Sequence, residues 1–395
     1  MPMTHPHILL LPSWYPTDYA PIRGNFFREQ AQALKEAGAQ VGVIYVDFRS
    51  YRTLKAAHLL GTRFQIEHRI ERGIATYRYC GWNPLSARWR YRWTINLSQR
   101  MWRRYIAKWG VPDIIHAHSV IWGGAAASAL ARQTGIPYIL TEHSSGYARG
   151  LIRPWQRPII EGVLLHAAAL LAVSPAVKQI LTPYVPSRSD EIIVTPNMVN
   201  TSFFHLPSTP RASRPFRFLS VANLNRNKGL DIVLRAFAQA FEQAEEVILE
   251  IGGDGPERTA LERLVVELNI QARVVFLGRL SREEVRAAMW RANALVLASH
   301  IETFGVVLIE AMATGLPVIA TRSGGPEQIV TSRTGVLVER GNVSALARAM
   351  KHLRENRCQW GDEAAIRQEA ISNYDQQVIA NRLLEIYAKT LNPSP

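Results

Sequence analysis

Short apolar runs alternate along the chain with longer stretches whose apolar positions recur every three or four residues. In the first half this pattern predicts strands at His7 to Leu11, Val41 to Val46, Ile114 to His116 and Tyr138 to Thr141, and helices at Phe26 to Ala37 and Ala125 to Gln133. The second half repeats it, with strands at Phe216 to Val221, Val247 to Ile251, Val274 to Leu277 and Ala294 to Leu297. Its helices are expected at Leu230 to Phe241, Glu257 to Leu268 and Glu283 to Arg291. Such alternation predicts an α/β protein built from parallel sheets covered by helices. Between the halves, Leu206 to Pro215 reads LPSTPRASRP, a linker or exposed loop without apolar period. Two doubly wound domains facing each other would bring the carboxyl ends of both sheets to one cleft, where open α/β sheets bind ligands.

The 395 residues, 47% hydrophobic and 20% charged, have the balance of a folded protein and the length of two ordinary domains. Two cysteines, Cys80 and Cys358, are too few for a disulfide framework or a four-thiolate zinc site, and fit a reducing cytoplasm. The most apolar stretch, Ile159 to Val177, carries Glu161 and His166 and ends at Ser174-Pro175, so no membrane span is expected. The patch Ile8 to Leu11 lacks a basic leader and a small-residue cleavage site, and no export signal is expected.

Charge changes this picture. The net charge is +14, and residues 1 to 200 hold 23 Lys and Arg against 11 Asp and Glu, whereas the rest hold 23 against 21. A basic half beside a near-neutral one points to an anionic partner such as lipid headgroups, an acidic glycan or nucleic acid. The densest part, Arg88 to Trp109, contains seven cations, six aromatic residues and no acid. At helical spacing Trp89, Trp93, Leu97, Met101, Tyr105 and Trp109 form one stripe, and Arg88, Arg92, Arg100, Arg104 and Lys108 its neighbour. Such a helix either lies against an anionic membrane or buries its stripe in the core with a solvated basic face. Nucleic acid is not expected, because no recognised binding module accompanies the cations.

Three strand ends carry candidate chemistry. Ser299 to Gly305 reads SHIETFG, with a helix expected to begin near Thr303 or Phe304; its free amides would hold a phosphate. Glu302 and Glu310 are eight apart and would grip different parts of one extended ligand, since a carboxylate can accept two hydroxyl hydrogens from a vicinal diol. Ser220 to Gly229, SVANLNRNKG, places Arg226 and Lys228 in a polar turn, and Ile251 to Pro256, IGGDGP, lets a ligand approach the backbone. Histidines 116, 118 and 143 invite a zinc reading, but nothing else in the chain supports one, and the strand-end pair reads as structural.

These segments together make the chain resemble a family 4 (group 1) glycosyltransferase of the GT-B fold over nearly its whole length. The resemblance is carried by Glu302 and Glu310 within TFGVVLIEAMATGLPVIAT, by Ser323 to Glu327, Gly335 to Val338, GGDGP and Asn227-Lys228-Gly229. In the first half PDIIHAH (112–118), TEHSS (141–145), AVSPAVK (172–178) and TPN (195–197) carry it too. It implies an acceptor-side domain over residues 1–205, a donor domain over 206–373 and a C-terminal helix, about 374–395, packed back on the first domain. It implies Lys228 on the donor diphosphate, Glu310 on the ribose, Glu302 on the transferred sugar, His143 on sugar hydroxyls and Gly24 in a glycine turn near the diphosphate. Asn223, Gly253, Thr303, Phe304 and Gly305 complete the expected donor site. The family usually has Gly-Arg-Leu where this chain has Ala222-Asn223-Leu224, so Arg226 becomes the candidate replacement cation.

The implied activity is retaining transfer of a sugar from a nucleotide-diphosphate sugar to a lipid-linked or polysaccharide acceptor, with the leaving phosphate taking the acceptor's proton. No Asp-x-Asp occurs, so no metal cofactor is expected and the protein itself supplies the positive field. Lys228 at about 4 Å from a phosphate oxygen would contribute roughly 4 kcal/mol at an effective dielectric near 20. The alternatives are a basic protein that binds anionic polymer on a vestigial transferase fold, and an epimerase or phosphorylase of the same fold.

Overall fold

The computed structural model describes residues 5–18, 23–49, 64–83, 86–242, 246–356, 360 and 362–393, so Cys358 lies outside the described residues. The chain forms two compact units. One comprises Met1–Val173, Val177–Thr195 and Ile379–Pro395, the other Ser174–Ala176 and Pro196–Val378.

The first unit holds an eight-stranded sheet in the order β3-β4-β2-β1-β5-β6-β7-β8. Its strands are β1 (His7–Pro12), β2 (Gln40–Arg49), β3 (Ile66–Glu71), β4 (Ile74–Trp82), β5 (Ile114–His118), β6 (Tyr138–Glu142), β7 (Ala169–Ala172) and β8 (Ile193–Val194). All pairings are parallel except β3 with β4. Every residue of β1 is buried, as expected of a parallel strand covered on both faces. The covering helices include α1 (Asn25–Glu36), α2 (Ala87–Trp109), α3 (Ala125–Thr134) and α4 (Arg157–His166).

Helix α2 divides the apolar stripe between its two readings. Leu97, Met101 and Tyr105 are buried, and the Tyr105 hydroxyl lies 2.6 Å from His7 Nε2, so the carboxyl half is core. Gly42 on β2 makes room for that ring: a Cβ there would collide with it. Trp89 and Trp93, near the amino end, are instead 58% and 44% exposed.

The second unit holds a six-stranded sheet, β11-β10-β9-β12-β13-β14. Its strands, β9 (Phe216–Val221), β10 (Val247–Gly252), β11 (Val274–Gly278), β12 (Ala294–Leu297), β13 (Val318–Arg322) and β14 (Gly335–Glu339), are all parallel. Helices α5 (Leu230–Ala240), α6 (Arg258–Glu267), α7 (Arg282–Arg291), α8 (Val306–Ala313), α9 (Val343–Glu355) and α10 (Glu363–Tyr374) follow or connect them. The last helix, α11 (Gln376–Leu391), supplies Tyr387 to the first unit, where its hydroxyl meets His116 Nδ1 at 2.7 Å.

In each sheet the winding reverses beside the first strand of the unit, between β1 and β5 and between β9 and β12. Ligands of open α/β sheets bind at the carboxyl ends around such a point.

Candidate active site

In the second unit the strands flanking the reversal, β9 and β12, run into two polar loops that interlock. After β9, Asn225 caps a short 3-10 turn, Arg226–Lys228, by accepting from the Asn227 amide at 3.1 Å. Gly229 then turns left-handed at φ +59, and a Cβ there would collide with the Ala298 carbonyl, so the turn sits directly on the end of β12. Asn227 ties the loops together, donating to the Ile301 carbonyl at 2.9 Å and accepting from the His300 amide at 2.8 Å. The result is a Lys228 Nζ to Glu302 Oε2 ion pair of 2.6 Å, with Ser299 Oγ donating to the same oxygen at 3.1 Å. Both charged side chains stay partly exposed, at 23% and 14%.

The helix that follows begins later than the sequence suggests. Thr303 and Phe304 are not helical: α8 starts at Val306, after Gly305 at φ +99. Glu302 is held in a parallel bridge to Gly324, its amide donating to the Ser323 carbonyl and its carbonyl accepting from the Gly325 amide. That bridge keeps the backbone extended, and only a left-handed glycine turns it sharply enough to enter the helix. Glu310 therefore lies about one turn into α8 rather than two. Phe304 is buried, its ring 5.9 Å from that of Tyr374, so it anchors the loop in the core; Thr303 is half-buried beside it.

Asn223 is exposed in the turn after β9, its carbonyl accepting from the Asn225 amide. Gly253, in the loop after β10, allows close approach, since a Cβ would collide with the Ala222 carbonyl. Arg226 is 91% exposed and pairs with Glu257 at 3.4 Å, lining a cavity of about 440 Å³ together with His300 and Arg235. Its guanidinium is thus paired with an acid of the neighbouring loop.

In the first unit the end of β5 and β6 is assembled around buried histidines. His116 and His118 are fully buried, and burial first, then neighbouring histidine, pushes His116 down to about 3 and His118 well below its ordinary value, so both are neutral. Both His116 ring nitrogens are engaged, by the hydroxyls of Tyr387 and Thr141 at 2.7 and 2.8 Å. That leaves no converging donor set, and among the described residues no group of three His, Cys, Asp or Glu could hold a metal ion. His118 Nδ1 and His143 Nε2 share a hydrogen bond of 3.1 Å, and Phe27 packs against both rings at 4.6 and 5.0 Å. Phe27 enters α1 just after Gly24, which is buried at φ +70 with its missing Cβ against the Trp14 carbonyl; the Phe27 amide donates to the Gly24 carbonyl. Gly24 and His143 are therefore linked through one ring.

Glu142 was not singled out from the sequence. Its fully buried carboxylate accepts from the amides of His143 at 2.8 Å, Ser144 at 2.6 Å and Val120 at 2.9 Å and from the Tyr147 hydroxyl at 3.2 Å. Burial raises its pKa, and the amides pull the other way. Val120 belongs to a π-helical turn, Ser119–Gly124, whose Ser119 adopts φ +64. One carboxylate thus fixes both the loop bearing His143 and the strained turn after β5. The signal available in TEHSS was only its adjacency to the histidine.

Comparison with known proteins fits this geometry. A family model described as glycosyl transferases group 1 matches residues 204–376, and one described as glycosyltransferase family 4 matches residues 24–203. A glycogen synthase of Mycobacterium tuberculosis is 26% identical over 298 residues, covering 73% of this chain and 70% of its own. The GPI3 subunit of the Saccharomyces cerevisiae phosphatidylinositol N-acetylglucosaminyltransferase is 26% identical over 291 residues, covering 71% and 64%. Anabaena HepE, solved in complex with UDP and glucose, shares the fold at a TM-score of 0.74 with 18% identity, covering 97% of this chain and 100% of that one. With its two halves matched in order by two models of one enzyme class, and with both parallel-sheet units in place, the chain belongs to the family 4, group 1 glycosyltransferases and is a glycosyltransferase of the GT-B fold.

Proposed function

We propose that the enzyme moves a sugar from a nucleotide-diphosphate sugar, with retention and without a metal, to a lipid-linked or polysaccharide acceptor in cell-surface polysaccharide or glycolipid synthesis. The observation that carries this reading is the 2.6 Å contact of Lys228 with Glu302 at the reversal point of the second sheet, immediately before α8. A donor diphosphate takes Lys228 from Glu302, and the released carboxylate accepts from the hydroxyls of the sugar. The amino end of α8 adds fixed amide dipoles. As the bond from the anomeric carbon to the phosphate oxygen breaks, the acceptor oxygen bonds to that carbon on the same face. The departing phosphate takes the acceptor's proton. His143, held by Glu142 and Phe27, positions the sugar, and Glu310 holds the ribose.

The relatives support this substrate class: HepE was solved with UDP and glucose, and the two named enzymes act in glycogen and phosphatidylinositol glycan chemistry. The enzyme works in the cytoplasm, peripheral on the inner face of the cell membrane. Among the described residues no helix is long and apolar enough to cross it. The contact is the amino end of α2, where exposed Trp89 and cationic Arg88 and Arg92 edge an open groove of about 450 Å³ against Trp155.

The test is a panel of nucleotide sugars titrated onto the full chain, followed by mass spectrometry and anomeric NMR of products from lipid and saccharide acceptors. Binding of one donor and a retained product in the presence of EDTA is expected. No donor binding, inversion, or loss of turnover to the chelator would overturn the reading.

A further inference from the structure

Four neighbouring strands of the first sheet, β4, β2, β1 and β5, each send a residue from the carboxyl end to one place. Asp47 lies near the end of β2, only 2% exposed. Tyr45 donates its hydroxyl to Asp47 Oδ1 at 3.0 Å, and Arg23, from the segment after β1, approaches the same oxygen at 3.9 Å. Arg90, in the first turn of the helix that follows β4, has its guanidinium carbon 4.3 Å from the ring centre of Trp122, from the turn after β5. The Phe48 ring lies 5.9 Å from the same carbon.

Charge here does not balance. Asp47 is the only acid between Glu36 and Glu67, and none occurs between Glu71 and Asp113. Arg78, whose charge also acts on Asp47, already has its partner in Glu71 at 2.6 Å. Arg23 and Arg90 share Asp47 with Arg49, whose charge acts on the same carboxylate. Among the described residues Arg90 makes no ion pair; its Nε is buried without a hydrogen-bond partner, as is Asp47 Oδ2. Burial, and then the charge of Arg23, push the Arg90 guanidinium below its ordinary value. A cation held on an aromatic ring, half-buried and short of a counter-ion, is costly unless an anion completes it. The Arg23 side chain is half exposed, so the place is open to solvent.

We infer that Arg23 and Arg90, backed by Trp122, form a subsite for an oxyanion of the acceptor, either a phosphoryl group or the carboxylate of an acidic sugar. Arginine's planar fork suits both, and the carboxyl end of the sheet is where this fold receives ligands. Asp47, itself buried, sets the orientation of Arg23 from below. This deepens the acceptor reading proposed above and rests on it.

The test is calorimetric titration of the full chain, with UDP saturating the second unit, using inorganic phosphate, D-glucuronate and neutral methyl glucoside as probes. Phosphate or glucuronate should bind the wild type, with Arg90→Gln weakening that affinity at least tenfold and Arg23→Gln about threefold to tenfold, while UDP affinity stays within twofold. Arg132→Gln, an equal charge change on the exposed face of α3, should leave anion binding within twofold. Preference for phosphate points to a phosphorylated acceptor, preference for glucuronate to an acidic glycan. Absence of anion binding in the wild type, or equal losses in Arg90→Gln and Arg132→Gln, would overturn the subsite. Failure of UDP to bind, with the anion titrations behaving as expected, would instead overturn the donor reading and leave the subsite standing.

Discussion

The two units solve the same problem, exposing chemistry at the carboxyl end of a parallel sheet, with opposite electrostatics. In the second unit the candidate groups are charged, paired and partly open: Lys228 and Glu302 neutralise each other at 2.6 Å and are within reach of solvent. In the first, the groups nearest the strand ends are neutral or locked. His116 and His118 are buried without charge, and Glu142 spends its carboxylate on three backbone amides and a hydroxyl. A pair that reaches solvent can be exchanged for a ligand at less cost in stability than a fully buried network, which can only hold shape. The second unit should therefore lose turnover when its charges are removed, and the first should lose stability.

The largest effect that sharpens this contrast is on catalysis. Lys228→Ala should lower turnover at saturating donor by a hundredfold to a thousandfold, roughly 2.7–4 kcal/mol of transition-state stabilisation, with little change in the denaturation midpoint. Near-normal steady-state turnover would remove Lys228 from the mechanism. Glu142→Gln should do the reverse. Its amide can keep one oxygen as acceptor but sets an N–H donor against backbone N–H groups, so a loss of about 3 kcal/mol in unfolding free energy is expected. A urea midpoint indistinguishable from wild type would show that the carboxylate does not organise the His143 loop.

Smaller, and confined to the first unit, is a dependence on pH. His116 has a folded value near 3 against 6.5 unfolded, so its contribution is complete above pH 6.5 and is lost as pH falls from there toward 3. The slope is about 1.4 kcal/mol per pH unit for each histidine kept neutral by burial. Glu142, whose pKa is raised, works in the opposite sense at the acid end. Between pH 7 and 5 the melting temperature should fall for the wild type and fall less for His116→Gln; parallel curves would exclude the histidine as the cause.

How much of this was legible from sequence differs between the units for the same reason. Local patterns were readable: the strands Phe216–Val221 and Ala294–Leu297 fall where the apolar runs put them, because each is buried on both faces of a parallel sheet. The loops bearing Lys228 and Glu302 follow directly from strand ends, so short motifs located them. The start of α8 was misjudged because the bridge from Glu302 to Gly324 is a contact between residues distant in sequence, and it overrides helix propensity at Thr303 and Phe304. Helix α2 showed its stripe, but not that Tyr105 enters the core against Gly42 while Trp89 does not. Least legible were Glu142 and the Arg23, Asp47 and Arg90 cluster. A buried carboxylate that binds amides has no periodicity, and a site drawn from four strand ends has no spacing.

We propose that the donor diphosphate displaces Glu302 from Lys228. A crystal structure of the full chain with bound UDP tests it most directly. The diphosphate should lie about 4 Å or less from Lys228 Nζ, at the amino end of α8, with the ribose hydroxyls on Glu310 and the Lys228 to Glu302 contact opened. UDP bound elsewhere, or bound with that 2.6 Å contact intact, would contradict it.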